Sequence, residues 1–281
     1  MIRAPRAAVL LTVLAMAPGA FGAALDDESP APATPAPPAQ AGPPVEGTPH
    51  DDGRRTTGRF FGNLGRNAVG LFSGDNIVPA AIGTGATLLA TPFDDNVQRY
   101  FGGGERKAAW LGDFADWLGR PIVLTPIAAT LYIIGRKAPN HKRFHEATYD
   151  IAQVFLLNAA VTTAIKYPAH RLRPDESNYL SFPSGHTSNA FAWATVAAHY
   201  YGPKLGVPAF AFASLIGVGR MEKNVHWLSD VVGGASVGYL VGRTVLRRDS
   251  EPLPGHQARM TVFPSAGPQG KGVGLTASVQ F

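Results

Sequence analysis

The chain has 281 residues, of which 45% are apolar and only 16% charged, with a formal charge of +5 and no cysteine. The lack of cysteine excludes a disulfide framework, a thiol nucleophile and any thiolate metal site. The charged fraction falls below the roughly 25% of an average soluble protein, so the core is large or the helices are apolar. The positive balance suits an anionic substrate or an anionic membrane surface, though it also serves plain solubility.

Residues 1–24 read as a signal peptide. Arg3 and Arg6 precede an apolar run from Ala7 to Ala17, and the small residues Ala20, Gly22, Ala23 and Ala24 follow where cleavage would fall. The run is shorter than the about 20 residues of a spanning helix, which favours a cleaved signal over an uncleaved anchor. Residues 25–58 read as a linker. From Ser29 to Gly53 it is rich in Pro, Ala and Gly, too poor in packing surface to offset its ordering entropy.

From Arg59 the pattern turns helical, and residues 59–250 form the expected domain. Apolar stretches recur at Ile77–Ala90, Ile122–Ile134, Ile151–Ile165, Ala190–Tyr201, Val207–Val218 and Val231–Val245. They are rich in Ala and Leu, longer than typical strands and without strand alternation, so helix is the expectation. Asp75 is placed to cap the first, and Pro121 to open the second at its first helical position. Each stretch is about 12–15 residues, short of the 18 or more of a spanning helix. A globular bundle is therefore expected, with a multi-span membrane protein as the alternative. Residues 251–281 change character: Met260–Phe263 and Val273–Phe281 read as two strands around a Pro- and Gly-rich turn, a small packed β-hairpin. A single hairpin cannot make a barrel.

Three clusters carry chemistry. The first is Lys166-Tyr-Pro-Ala-His-Arg-Leu-Arg173-Pro174. Its ammonium and guanidinium suit a phosphate, with several acceptor oxygens, although a solvated helix end would look the same. Pro168 argues against a continuous regular helix there. The second is Ser181-Phe-Pro183-Ser184-Gly185-His186-Thr187-Ser188, before the stretch from Ala190. Ser184 can cap the helix, Gly185 lets a ligand approach, and free amides at a helix start attract anions. Taken alone, a plain cap with a surface histidine fits as well. The third runs from Gly219-Arg220 to His226 and Asp230. The last two lie at i and i+4, where a helix would let the carboxylate orient the imidazole. A salt-linked helix surface has the same spacing.

Together, in this order and spacing, the clusters resemble the type-2 phosphatidic acid phosphatase superfamily, which also contains vanadium haloperoxidases and soluble bacterial acid phosphatases. The matching residues are Lys166, Arg173-Pro174, then Pro183-Ser184-Gly185-His186, then Arg220, His226 and Asp230. Gly219 departs from the pattern, standing where the family usually has serine, which puts fine phosphate geometry in question rather than the chemistry.

The resemblance implies an all-α helical bundle and a metal-independent phosphatase acting on mono- or diphosphate esters; the apolar helices and envelope targeting favour esters of lipids. It implies that His226 attacks phosphorus, Asp230 orients it and His186 protonates the leaving oxygen. Lys166, Arg173, Arg220 and the amides around Ser184 and Gly185 would bind phosphate. No metal site and no cofactor are expected, since no separate cluster of His, Asp and Glu is apparent in the sequence. The expected partner is a phosphorylated, lipid-like substrate, with membrane association and without nucleic acid. The expected location is exported: periplasmic or bound to the cell envelope, with an integral membrane protein as the alternative. Two other functions remain open, a vanadium-dependent haloperoxidase and a non-catalytic envelope protein.

Overall fold

The computed structural model describes residues 54–102, 108–138 and 140–250, and the backbone of two further stretches, 259–266 and 273–280. The signal peptide and most of the linker lie outside the described residues. Those up to 250 are predominantly helical: α1 (Phe60–Gly70), α2 (Ile77–Ala90), α3 (Asp94–Gly102), α4 (Ala109–Leu118), α5 (Pro121–Arg136), α6 (Lys142–Ala169), α7 (Gly185–Tyr201), α8 (Pro203–Glu222) and α9 (Leu228–Ser250).

Each of the six apolar stretches lies within one helix. Ile77–Ala90 coincides with α2, but Asp75 does not cap it. A 3₁₀ turn, Gly74–Asn76, comes first and takes up Asp75. The neighbouring Asn76 is buried, and its amide donates to the carbonyl of Gly70 at 3.0 Å and to Thr244 Oγ1 at 2.9 Å. It thereby satisfies one of the carbonyls that a helix end leaves open. Pro121 does open α5, after Arg120 in extended backbone, the position where a missing N–H costs nothing.

Pro168 does not interrupt α6, contrary to the expectation from sequence. It sits in the last turn, where the missing N–H forfeits a single hydrogen bond. The helix ends one residue after Ala169, at His170 (φ 41°), whose N–H bonds the Lys166 carbonyl. Lys166 is thus held on a regular helical turn at the mouth of a loop.

Helices α6, α7 and α9 share the largest core: Val154 and Leu157 from α6, Ala192 and Val196 from α7, Val241 and Val245 from α9. Burying each of the larger side chains contributes about 1.5–3 kcal/mol. α7 and α9 approach closely because α9 presents glycines at 234, 238 and 242. A Cβ on Gly234 would lie 2.6 Å from the Ser184 carbonyl oxygen, and one on Gly238 would lie 2.1 Å from that of Ser188. This contact presses the start of α9 against the start of α7, where the second and third motifs lie. A second core, of Ala90, Val97, Met221, Leu228 and Val231, lies where α2, α3, α8 and α9 meet.

Among the described residues, α8 is the one single helix long and apolar enough to cross a membrane; 56% of its apolar window is buried in the protein. The pair α4 and α5, bent by 55°, passes the same test jointly. From Ser250 onward a second compact unit begins. Its strands β1 (Arg259–Ala266) and β2 (Val273–Gln280) run antiparallel, with Arg259 opposite Gln280 and Ala266 opposite Val273.

Candidate active site

The first motif supplies its cation from the end of α6. Lys166 Nζ donates to the carbonyls of Leu180 and Pro183, both at 2.7 Å. It thus ties the loop between α6 and α7 to the helix end, and a Cβ on Gly185 would meet its Cε at 4.0 Å. Burial, reinforced by the neighbouring charge of Arg173, lowers the Lys166 pKa to about 8. Arg173 lies in that loop, where its N–H bonds the Asn178 carbonyl at 3.0 Å. Its side-chain Nε is buried without a hydrogen-bond partner.

The second motif starts α7. Ser184 is the N-cap and its Oγ accepts from Thr187 N and from Thr187 Oγ1. Its own amide is not free for a ligand as expected, because it donates to the Asp230 carbonyl at 2.9 Å. The close packing on Gly234 leaves that carbonyl directly beside it. The bond Phe182–Pro183 is cis. His186, in the first turn, lies with Nε2 3.3 Å from the Asp116 carbonyl. Burial, then the positive charge of Arg220, pushes its pKa down to about 3.

The third motif is not wholly helical. Arg220 is in the last turn of α8, a turn with Asn224 in left-handed backbone follows, and His226 lies two residues before α9. The expected placement of His226 and Asp230 on one helix is thus corrected. The reason is that Asp230 caps α9 from inside: its Oδ2 accepts from Trp227 N at 2.9 Å, which starts the helix after His226. The two side chains still face each other, with His226 Nδ1 3.6 Å from Asp230 Oδ2, beyond hydrogen-bond length, and both almost fully buried. Burial, opposed by Asp230, lowers the His226 pKa to about 4, so the ring is neutral near pH 7.

Two residues that sequence reasoning missed, Arg171 and Ser181, hold Asp230, and a third, Asp94, acts through Arg171. Arg171 Nη1 donates to Asp230 Oδ1 at 2.7 Å, Arg171 Nη2 donates to Asp94 Oδ2 at 2.7 Å, and the Ser181 hydroxyl donates to Asp230 Oδ2. Asp94, at the start of α3, also accepts from Ser229 N at 2.8 Å and from Ser229 Oγ. Arg171 was visible as one more cation in the first cluster. Asp94 lies far from every motif in the sequence and gave no signal.

A fourth missed residue is Asp116 on α4. Its carboxylate accepts from Arg220 Nη1 at 2.6 Å, from Arg120 at 2.7 Å and from Lys223 at 3.0 Å. Burial would raise its pKa, but these three donors hold it well below the usual carboxylate range. The Arg220 Nε, like that of Arg173, is buried without a partner. The departure at Gly219 has a steric reason: a Cβ there would lie 2.6 Å from Ala115 Cβ and 2.8 Å from the Leu111 carbonyl oxygen. A serine could not occupy this position with α4 where it is.

The structure therefore brings Lys166, Arg173, Arg220, His186, His226 and Asp230 within electrostatic reach of one another. Among the described residues, no three of His, Asp and Glu are grouped so as to hold a metal ion. A cavity of about 550 Å³ with mostly apolar walls opens beside the site, between α4, α5, α7 and α8. His186 stands on its wall with Phe114, Leu118, Leu124, Trp193 and Phe212.

Several known proteins are similar to this chain. The family model "PAP2 superfamily" matches residues 148–251, which hold all three motifs. A lipid A 1-phosphatase of Porphyromonas gingivalis is 36% identical over 162 residues, covering 56% of this chain and 35% of that protein. Phosphatidylglycerophosphatase B of Bacillus subtilis is 32% identical over 117 residues, covering 35% of this chain and 57% of that protein. The chain thus spans about a third to just over half the length of these curated relatives. Among solved structures, Aquifex aeolicus LpxE is similar at a TM-score of 0.47 with 25% identity, covering 55% of this chain and 95% of that one. A transmembrane PAP2-type phosphatidylglycerolphosphate phosphatase from Bacillus subtilis follows at 0.44 and 20%, covering 69% and 97%.

Proposed function

We propose that the chain, whose residues 148–251 match the family model of the PAP2 superfamily, hydrolyses phosphate esters of lipids through a phosphohistidine on His226. The observation that carries this reading is a pair of guanidinium Nε–H donors, on Arg173 and Arg220, buried without partners in the electrostatic reach of Lys166 and a buried histidine–carboxylate pair. Leaving such donors unsatisfied is costly, and an oxyanion with several acceptor oxygens would satisfy both.

His226 Nδ1 faces Asp230, so Nε2 carries the free lone pair and attacks phosphorus. The bond from phosphorus to the ester oxygen breaks, and that oxygen takes a proton from His186. Burial, and then the charge of Arg220, keep His186 neutral without substrate. A bound phosphate dianion offsets the charge of Arg220 and adds its own negative charge against the burial that depresses His186, which favours the protonated ring that the departing alkoxide needs. In the second step His186 takes a proton from water, the oxygen attacks phosphorus, and the bond from phosphorus to Nε2 breaks. Orthophosphate leaves and His226 returns neutral. Lys166, Arg173 and Arg220 stabilise the charge spread over the transferred group, and chelator-resistant turnover is the expected consequence.

The lipid preference rests on the apolar cavity on whose wall His186 stands, at the side where a leaving alcohol would depart. The relatives named for lipid A and phosphatidylglycerophosphate act on amphipathic phosphates, and the same class is proposed here. The signal-like first 24 residues support export to the cell envelope. Residues 251–281 are proposed as a hairpin extension that contributes nothing to the chemistry.

The test is phosphate release from phosphatidic acid, an isoprenyl diphosphate and p-nitrophenyl phosphate in the presence of chelator, beside His226→Ala. Release from the lipids that the substitution abolishes is expected. Release that survives in His226→Ala would remove the nucleophile, and loss in chelator would remove metal independence.

A further inference from the structure

Taking the phosphate site as proposed above, we infer that Asp116 sets the phosphate affinity of that site: it is a built-in anion that holds Arg220 and competes with phosphate for it.

The placement is a consequence of packing between α4 and α8. Gly219 and Ala115 face each other so closely that a Cβ on Gly219 would lie 2.6 Å from that of Ala115. The next residue of each helix is then brought together: Arg220 Nη1 and Asp116 Oδ1 meet at 2.6 Å. Arg220 is almost fully buried, so its ion pair is weakly screened. Asp116 takes two further cations, Arg120 and Lys223, and its backbone carbonyl lies against His186 Nε2. One residue thus touches the phosphate-binding arginine through its side chain and the leaving-group histidine through its backbone.

A carboxylate in this position has two effects of opposite sign. It orients Arg220, and it partly neutralises the charge that phosphate would use. Phosphate must draw Arg220 away from Asp116, or share it, which weakens binding of both substrate phosphate and the orthophosphate product. Weaker product binding favours release. The same glycine that departs from the usual serine admits the helix carrying Asp116, so the two features are parts of one device.

The test is titration calorimetry of the full chain with inorganic phosphate at pH 7, comparing wild type with Asp116→Asn. The amide oxygen can still accept from Arg220, so orientation is retained while the competing charge is removed. Binding of phosphate tighter by about tenfold or more is expected, with KM for p-nitrophenyl phosphate falling in parallel. Unchanged or weaker binding, or none in either protein, would overturn the inference, because a merely structural Asp116 predicts loss of affinity on substitution. Gly219→Ala, which must push α4 away, is expected to tighten phosphate binding in the same direction. Combined with Asp116→Asn it should add little further, the signature of coupled sites. If Gly219→Ala fails to fold, as its melting curve would reveal, Asp116→Asn decides alone. Tighter phosphate binding without any ester turnover in wild type would sink the phosphatase reading and leave this inference standing. Turnover with unchanged phosphate affinity would do the reverse.

Discussion

At the scale of single residues, the site is governed by how its carboxylates are occupied. Asp230 accepts from Arg171, Ser181 and Trp227 N while it faces His226, so its lone pairs are committed and its orientation is fixed. Arg171 also bridges to Asp94. Replacing it by glutamine leaves Asp94 and Asp230 without their shared cation, and Asp230 is then held toward His226 by Ser181 and Trp227 N alone. We expect Arg171→Gln to lower kcat by roughly ten- to a hundredfold, equivalent to the about 1.5–3 kcal/mol of a hydrogen bond to a charged group, with KM nearly unchanged. An equal rise in KM would instead place Arg171 on the substrate. Lys166 makes a separate prediction. Burial depresses it to about 8, so its charged form prevails below that pH and is lost above it. The profile of kcat/KM, which reports the free enzyme, should fall on the alkaline side with a midpoint near 8. A profile flat to pH 10 would show that Lys166 stays charged or plays no part in binding.

At the scale of elements, the site depends on two close helix contacts made by glycines. The stripe at 234, 238 and 242 seats α9 on α7, bringing Asp230 to the amide of Ser184. A methyl group on Gly238 would meet the Ser188 carbonyl oxygen at 2.1 Å and the Ala192 amide nitrogen at 3.0 Å, backbone atoms that cannot turn aside. Gly238→Ala should therefore destabilise by about 1–3 kcal/mol or more and shift the motifs apart, lowering activity in the fraction that remains folded. Gly65 on α1 has nothing within 4 Å of its would-be Cβ. Gly65→Ala should be neutral or stabilising, by up to about 1 kcal/mol, with activity retained. Thermal melts of both variants check the contrast, and equal effects would refute the role of the stripe. The long helices α2 and α5 to α9 were legible in the sequence because their apolar runs outlast any strand. The short α3 and α4 were not: α3 opens with two aspartates and is polar along much of its length, and α4 is ten residues with large aromatics on its exposed face. The two aspartates missed from the site, Asp94 and Asp116, lie on these two helices. Their meaning depends on docking against α8 and α9, which no local pattern encodes.

At the scale of the whole molecule, large apolar side chains remain uncovered on several helices. Ile77, Val78, Ile82, Leu88 and Leu89 on α2 are each more than half exposed, as are Ile122 on α5 and Trp110 on α4. Such uncovered apolar side chains would suit the membrane association proposed for the chain, and a lipid surface would also deliver an amphipathic phosphate to the cavity beside His186. The three motifs, spread over 65 residues of sequence from Lys166 to Asp230, were recognisable as one set from their residue types and spacing. The backbone around them was less so: the helix continues through Pro168, His226 falls short of α9, and the Ser184 amide is already engaged. Each is a contact with a distant segment or a helix end, beyond what spacing conveys. The claim on which everything else rests is the covalent intermediate on His226. Its most direct test is rapid mixing with phosphatidic acid followed by alkaline quench, which preserves phosphohistidine, and mass spectrometry of the peptide containing residue 226. One phosphoryl group is expected on His226, formed within a turnover and absent from His226→Ala. Turnover without a phosphorylated His226, or a phosphoryl group on another residue, would contradict it.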